Sequence, residues 1–219
     1  MKKLFILLLT LPILILSLFF AGCKEEFSLL DYVSVLKSDV YQAEYKGVKL
    51  TADYGYIEEP LVLDGKRGKT TYYFTVTMPI NEENITYKIK INGVDGEWDF
   101  KYDDAHANLK ARIPLSEHLV DFDATVTCES EQTAVKFTSI LPQNVLSPKN
   151  VLSHLEKAQK TYIDGYKTDD GFNAEIILKV SVLKDKAYYY VAISTGEQNY
   201  KAMLVNAVTG ELLAIRNVY

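Results

Sequence analysis

Apolar and polar residues alternate along most of the chain between residues 48 and 137. The pattern is clearest in residues 70–78, where one face carries Tyr72, Phe74, Val76 and Met78. Alternation with a period of two is typical of half-buried strands. The predicted strands cover residues 48–54, 70–78, 85–91, 98–102, 109–115, 120–128 and 135–137. Short strands joined by turns, without helices between them, favour a β-sandwich. We therefore predict a mainly β protein with an immunoglobulin-like β-sandwich at residues 27–145.

The start of that region fits two structures. Leu29, Leu30, Val33 and Leu36 have the spacing of successive helical turns, whereas residues 32–36 also have the composition of a strand. Both alternatives stay open at the level of sequence.

The period changes after residues 141–146. Ser147 followed by Pro148 predicts a helix start, because the serine accepts a backbone hydrogen bond and proline needs no amide hydrogen at the first helical position. An apolar stripe at helical spacing follows, and Gly165 is the predicted stop. Strands are then predicted at residues 174–182, 188–194, 200–206 and 212–215. One helix followed by an antiparallel sheet predicts an α+β domain at residues 146–219.

The last turn of this domain carries a short motif. Asn206-Ala-Val-Thr209-Gly210-Glu211-Leu212-Leu213 resembles the Asp-x-x-Thr-Gly-Glu-x-Leu ending of PepSY domains, with Asn206 in place of the usual Asp. Gly210 is expected to supply the positive φ of a tight turn. The resemblance implies a PepSY-like helix plus sheet over about the last third of the chain. PepSY domains occur in propeptides of secreted metallopeptidases and in exported lipoproteins, so it also implies a peptidase-restraining role.

The first 23 residues have the order of a secretory signal. Lys2 and Lys3 precede an uncharged apolar run, Leu4 to Phe20, which ends in Ala21-Gly22-Cys23. This end resembles the lipobox of bacterial lipoproteins, with Phe20 where Leu is usual. The resemblance implies a signal peptide at residues 1–22, lipid attachment to Cys23 and a short membrane tether at residues 23–26. The alternative is an uncleaved transmembrane helix. Both alternatives place the remainder of the chain outside the cytoplasm.

Charge and motifs narrow the function further. The net charge is −5, and Lys2 and Lys3 lie in the segment that cleavage would remove, so nucleic-acid binding is disfavoured. The three histidines, at positions 106, 118 and 154, are far apart and form no zinc motif, and no nucleophile elbow or phosphate loop is present. We predict no catalytic residue, no metal and no cofactor. Asp121 and Asp123 share a strand face that fits a solvated surface better than a calcium site, and Cys128 keeps the phase of buried residues.

Aromatic residues give a softer indication of binding. Tyr188 and Tyr190 are predicted on one sheet face and Tyr189 on the other, and one set should pack under the helix. The prediction is a non-catalytic, lipid-anchored envelope protein that acts as a protein-interaction module at the cell membrane. An extracytoplasmic peptidase is the partner that the resemblance implies. The alternative function is a surface receptor for a small ligand or glycan, which requires a cleft, and a hydrolase of another type is a third hypothesis.

Overall fold

The computed structural model describes residues 27–62, 68–79, 85–196 and 200–218. The predicted signal peptide, Cys23 and the tether lie outside the described residues. Within the described ranges, no helix combines the length and the apolar character that crossing a bilayer requires.

Strands dominate the described residues. They are β1 Val33–Tyr45, β2 Val48–Glu58, β3 Thr70–Met78, β4 Tyr87–Ile91, β5 Trp98–Asp99, β6 Lys101–Asp103, β7 Asn108–Pro114, β8 Phe122–Cys128, β9 Glu131–Ser139, β10 Lys167–Thr168, β11 Gly171–Phe172, β12 Glu175–Leu183, β13 Lys186–Ser194, β14 Tyr200–Asn206 and β15 Leu212–Val218. A 3₁₀ turn, Leu29–Tyr32, precedes β1, and the helices are α1 Pro148–Ala158 and α2 Lys160–Asp164. The mainly β prediction is confirmed.

One large sheet crosses the molecule. Its strand order is β15-β14-β13-β12-β1-β2-β3-β7-β6, and its neighbours are antiparallel except for the parallel pair β1 and β12. Strand β1 also pairs with β9, which continues through β8 to β4 and β5. One edge of β1 is thus divided between two partners: its first half pairs with β12, and its second half pairs with β9.

The first core lies inside the sandwich that β1–β9 form, which is nearly closed into a barrel. Its largest fully buried side chains include Phe74, Phe137, Ile89, Ile91 and Ile113. Phe122 stacks on Phe137 with ring centroids 4.8 Å apart. Such aromatic pairs bury large apolar areas and prefer defined geometries. Strand alternation therefore places one residue in two inside this sandwich, as the sequence pattern predicts.

The second core lies between α1 and the strands β12–β14. Val151, Leu152 and Leu155 form the buried face of the helix, and Tyr189 and Met203 are among the sheet residues beneath it. Ser147 caps the helix by accepting a hydrogen bond from the Asn150 amide at 3.3 Å, and Pro148 occupies the first turn. The helix therefore begins where the cap pattern predicts.

Three local predictions have definite outcomes. The segment that fitted two structures forms the 3₁₀ turn and then β1. The single strand predicted at residues 98–102 is divided at Phe100, because β5 pairs with β4 whereas β6 pairs with β7. The helix predicted to run to Gly165 breaks at Gln159, and α2 ends before Gly165, which keeps a right-handed conformation with φ −64°.

The two cores are not separated along the chain. Val33 and Val40 of β1 are buried in the second core, whereas Tyr41 and Tyr45 of the same strand are buried in the first. The predicted division between residues 145 and 146 stays a prediction, and β1 is the strand through which the two cores share one sheet.

Candidate functional site

A polar cluster lies where β1 changes partner. Lys37 is paired with Lys179 of β12, and Tyr41 is paired with Ser139 of β9. Between them, the register of β1 against β2 shifts by a bulge between Lys37 and Asp39. Bulges re-aim side chains and are frequent next to functional sites. Here the bulge places Asp39 at the opening between the two cores.

Asp39 is held by two neighbours that use the same oxygen. The Ser38 hydroxyl donates to Asp39 Oδ2 at 2.6 Å, and His118 Nε2 lies 3.2 Å from Oδ2. The Tyr41 hydroxyl donates to the Leu119 carbonyl at 2.6 Å and lies 3.2 Å from His118 Nε2. Because the tyrosine proton is already used, we infer that His118 carries its proton on Nε2 and donates to both oxygens.

The loop that carries His118 is fixed by tyrosines of the sandwich. The Tyr54 hydroxyl donates to the Ser116 carbonyl at 2.8 Å, and the Tyr54 ring packs edge-on against the His118 ring with centroids 5.1 Å apart. This arrangement is not that of a serine hydrolase, because Ser38 donates to the carboxylate and not to the histidine. The cluster therefore orients a carboxylate instead of activating a hydroxyl.

Beside Asp39 lies a groove of about 560 Å³, which we call the fork groove. Its lining residues are Ser38, Asp39, Val120, Ser139, Leu141, Pro142, Gln143, Val145, Leu146, Ser147, Pro148 and Tyr189. Asp39 is the charged residue among them. Across the groove, the Tyr189 hydroxyl donates to the Leu146 carbonyl at 3.0 Å. The groove is thus a concave site with one carboxylate and a largely apolar wall.

The charge of Asp39 raises the pKa of two nearby tyrosine hydroxyls. Burial raises the pKa of the Tyr41 hydroxyl well above its ordinary value, and the negative charge of Asp39 raises it further, with a smaller contribution from Asp121. Burial and Asp39 raise the pKa of the Tyr189 hydroxyl in the same way. Both hydroxyls therefore remain protonated donors at neutral pH.

A second candidate surface lies on the last three strands. Tyr189 packs beneath α1, so Tyr190 points to the opposite face, where it is paired with Leu204 of β14. Tyr190, Leu204 and Ile215 line a shallow apolar depression of about 180 Å³. We call the exposed apolar residues Tyr190, Leu204, Leu213 and Ile215 the edge patch. It is not confined to one face of the sheet, because Ile215 is paired with Met203, which is buried in the second core. Among the described strands, none pairs with the outer edge of β15, so this patch borders a free sheet edge.

Charged residues border the edge patch on the sheet. Lys179 is paired with Tyr190 on one side and with Lys37 on the other. Lys37 in turn forms an ion pair with Asp53, with Nζ and Oδ1 2.6 Å apart. Partial burial lowers the pKa of the Lys179 ammonium, and the positive charge of Lys37 lowers it further. The sheet face therefore changes from apolar to charged across β12.

The motif that resembles a PepSY ending forms a tight turn against the helix. Asn206 Oδ1 accepts hydrogen bonds from the amides of Val208 and Thr209 at 2.9 and 3.2 Å. The positive φ predicted for Gly210 is confirmed at 74°. A Cβ added to Gly210 would lie 2.7 Å from Cγ of His154 on α1. The motif is thus structural here, because it lets the turn approach the helix closely.

Of the remaining candidates, Asp121 lies beside the fork groove and the others lie apart from both surfaces. Cys128 is half-buried against the sandwich core, and His106 lies 2.9 Å from the Asp103 carboxylate on the surface. Asp121 Oδ1 accepts the Ser139 amide at 3.0 Å, and Asp123 is exposed on β8. Within the described ranges, no three His, Cys, Asp or Glu side chains are grouped so that they could hold a metal ion.

The comparison with protein-family models, with curated proteins and with solved structures finds no match in any of the three.

The sequence pattern predicts no partner for His118, and the structure brings it to Asp39. A weak signal for this was present. The alternation of apolar and polar residues in β1 breaks between Leu36 and Val40, where the three consecutive residues Lys37, Ser38 and Asp39 are polar. Such a break indicates a bulge, but it does not identify the residue that the bulge faces.

Proposed function

We propose that this chain is a non-catalytic, lipid-anchored envelope protein that binds another protein outside the cytoplasm, with an extracytoplasmic peptidase as the partner class. An immunoglobulin-like sandwich and a PepSY-like unit form its two parts, and a lipid on Cys23 holds it at the membrane. The sequence around Cys23 and the motif at residues 206–213 support the location and the partner class. The edge patch is the observation that carries the interaction role.

The edge patch has the properties of a surface for strand addition. Strand β15 contains neither proline nor lysine, two residues that commonly protect sheet edges from pairing, and Arg216 is its single charged residue. Leu213 and Ile215 on this strand are 43% and 46% exposed. A partner segment in extended conformation can pair with the β15 backbone and cover these side chains, which is a common mode of peptide recognition.

Site-specific photocrosslinking in the native envelope tests this proposal. Benzoylphenylalanine at position 215 should capture one predominant envelope protein, and mass spectrometry should identify it as a peptidase. The same amino acid at position 136, on the exposed face of β9, is the matched control and should not capture that protein. Equal capture from both positions, or none from position 215, would contradict a role for the edge patch.

A second candidate function is a small-ligand or glycan receptor, and the fork groove is the observation that favours it. The groove lies between the two cores and combines an apolar wall with a few polar groups, as ligand sites commonly do. Soaking crystals with ligand mixtures would test this function. Density confined to the edge patch or absent from the fork groove would argue against it.

A further inference from the structure

We infer that the fork groove binds a ligand with a primary ammonium group on a short apolar chain, with Asp39 as the acceptor. This inference deepens the second candidate function and is independent of the edge patch. It assigns Asp39 the role of a fixed counterion and the loop at residues 141–145 the role of the apolar wall.

Asp39 is prepared to accept a cation. Its side chain is 23% exposed, so it is partly desolvated but still reachable. Ser38 and His118 both bond to Oδ2, and within the described residues no hydrogen bond is made by Oδ1. Because its neighbours and the bulge hold the carboxylate in place, a ligand would not have to order it on binding. A charge-assisted bond from an ammonium group to Oδ1 would complete its coordination.

The surroundings favour a cation over an anion or a neutral group. The lining contains no lysine or arginine, and within the described residues the basic side chain paired with Asp39 is His118, which contacts Oδ2 and leaves Oδ1 open. Asp121 accepts the amide of Ser139, which lines the groove, and so places a second negative charge close to Asp39. An anionic ligand would meet repulsion from both carboxylates, and a neutral one would forgo the charge-assisted bond.

The wall of the groove limits the chemistry of the ligand further. Leu141, Pro142 and Val145 provide apolar surface beside Asp39, and Val120 is 73% exposed at the groove. One carboxylate provides too few oxygen ligands for Ca²⁺, which takes six to eight. An ammonium group needs fewer acceptors, and its alkyl chain can cover the apolar wall.

Three probes of equal length test the inference: butylammonium, butan-1-ol and butyrate. Binding to the full-length chain in nanodiscs of zwitterionic lipid is measured by saturation-transfer difference NMR. We expect butylammonium to bind at least about tenfold more tightly than either other probe, and Asp39→Asn to weaken it by about tenfold or more. Asp123→Asn removes the same charge from the exposed face of β8 and should change nothing. Comparing variants in the same nanodiscs cancels partition of the probe into lipid.

A second variant keeps the test decisive if Asp39→Asn is unstable. Val120→Lys introduces an ammonium group beside the groove, and this group should compete with butylammonium and abolish its saturation transfer. Equal affinity for butylammonium and butan-1-ol, unchanged by Asp39→Asn, would overturn the ammonium inference while leaving a small-ligand receptor standing. Absence of binding by all three probes would overturn both.

Discussion

The two cores of this protein share a sheet but cover it differently. Strands β1–β9 curl around the first core, so the sandwich supplies its own second layer. The second core is covered by the 11 residues of α1, which lie on one face of β12–β14. Apolar residues on the other face, such as Tyr190 and Leu204, remain exposed. Under the function proposed above, this exposed face and the free edge of β15 are the part of the molecule that a partner would cover.

Because β1 has buried residues in both cores, we expect the two cores to unfold together. Phe74→Ala, in the sandwich, should lower the free energy of unfolding by about 3–5 kcal/mol, because it removes a fully buried ring. The measurement is urea denaturation followed by the fluorescence of Trp98, the single tryptophan of the chain. A loss below about 1 kcal/mol would show that the sandwich core repacks easily around the missing ring.

A change in the second core should be detected from the first. Leu155→Ala on α1 should cost about 2–5 kcal/mol. Because the two cores share β1, the transition of Trp98 in the sandwich should shift together with the helical circular dichroism. If the circular dichroism transition moved alone, the two cores would unfold independently and the shared strand would not couple them.

The turn at Gly210 tests the contact between the helix and the sheet. Gly210→Ala should cost about 1–3 kcal/mol, because alanine disfavours φ 74° and its Cβ would approach the His154 ring. Gly196→Ala is the matched control, since its Cβ would meet nothing within 4 Å. Thermal denaturation of both variants measures the difference. Equal stability of the two variants would show that the turn relaxes away from the helix.

The smallest expected effect concerns the charged border of the edge patch. The pKa of Lys179 is lowered in the folded chain from the ordinary value of 10.5. Between these two pKa values, Lys179 is protonated more fully in the unfolded chain than in the folded chain, so the free energy of unfolding rises with pH. Lys179 should therefore contribute a slight gain in stability between its lowered pKa and pH 10.5. Chemical denaturation at pH 8 and pH 10.5 should show that Lys179→Met loses this gain, whereas Lys136→Met on β9 retains it. Identical pH dependence in all three proteins would contradict the desolvation of Lys179.

The sequence predicted those features that depend on local pattern. Alternation identified the strands around Phe74 and Ile89, and Ser147-Pro148 marked the start of α1. The pairing of distant strands cannot be predicted in this way, because a strand has the same alternating pattern whichever strand it pairs with. The parallel pair of β1 and β12 and the fork at Asp39 were therefore not predicted. His118 was missed for the same reason, since its partner lies 79 positions earlier in the chain.

Capture of the partner by an Ile215 variant tests whether the partner binds at the edge of β15. Wild type, Ile215→Lys and Gln132→Lys are used as bait in the native envelope, and the captured peptidase is quantified by mass spectrometry. Both variants add one positive charge at an exposed position, and each should change the free energy of unfolding by less than about 0.5 kcal/mol. Ile215→Lys should lose the peptidase, whereas Gln132→Lys should retain it. Equal capture by all three baits would contradict the assignment of partner binding to the edge of the helix-covered sheet.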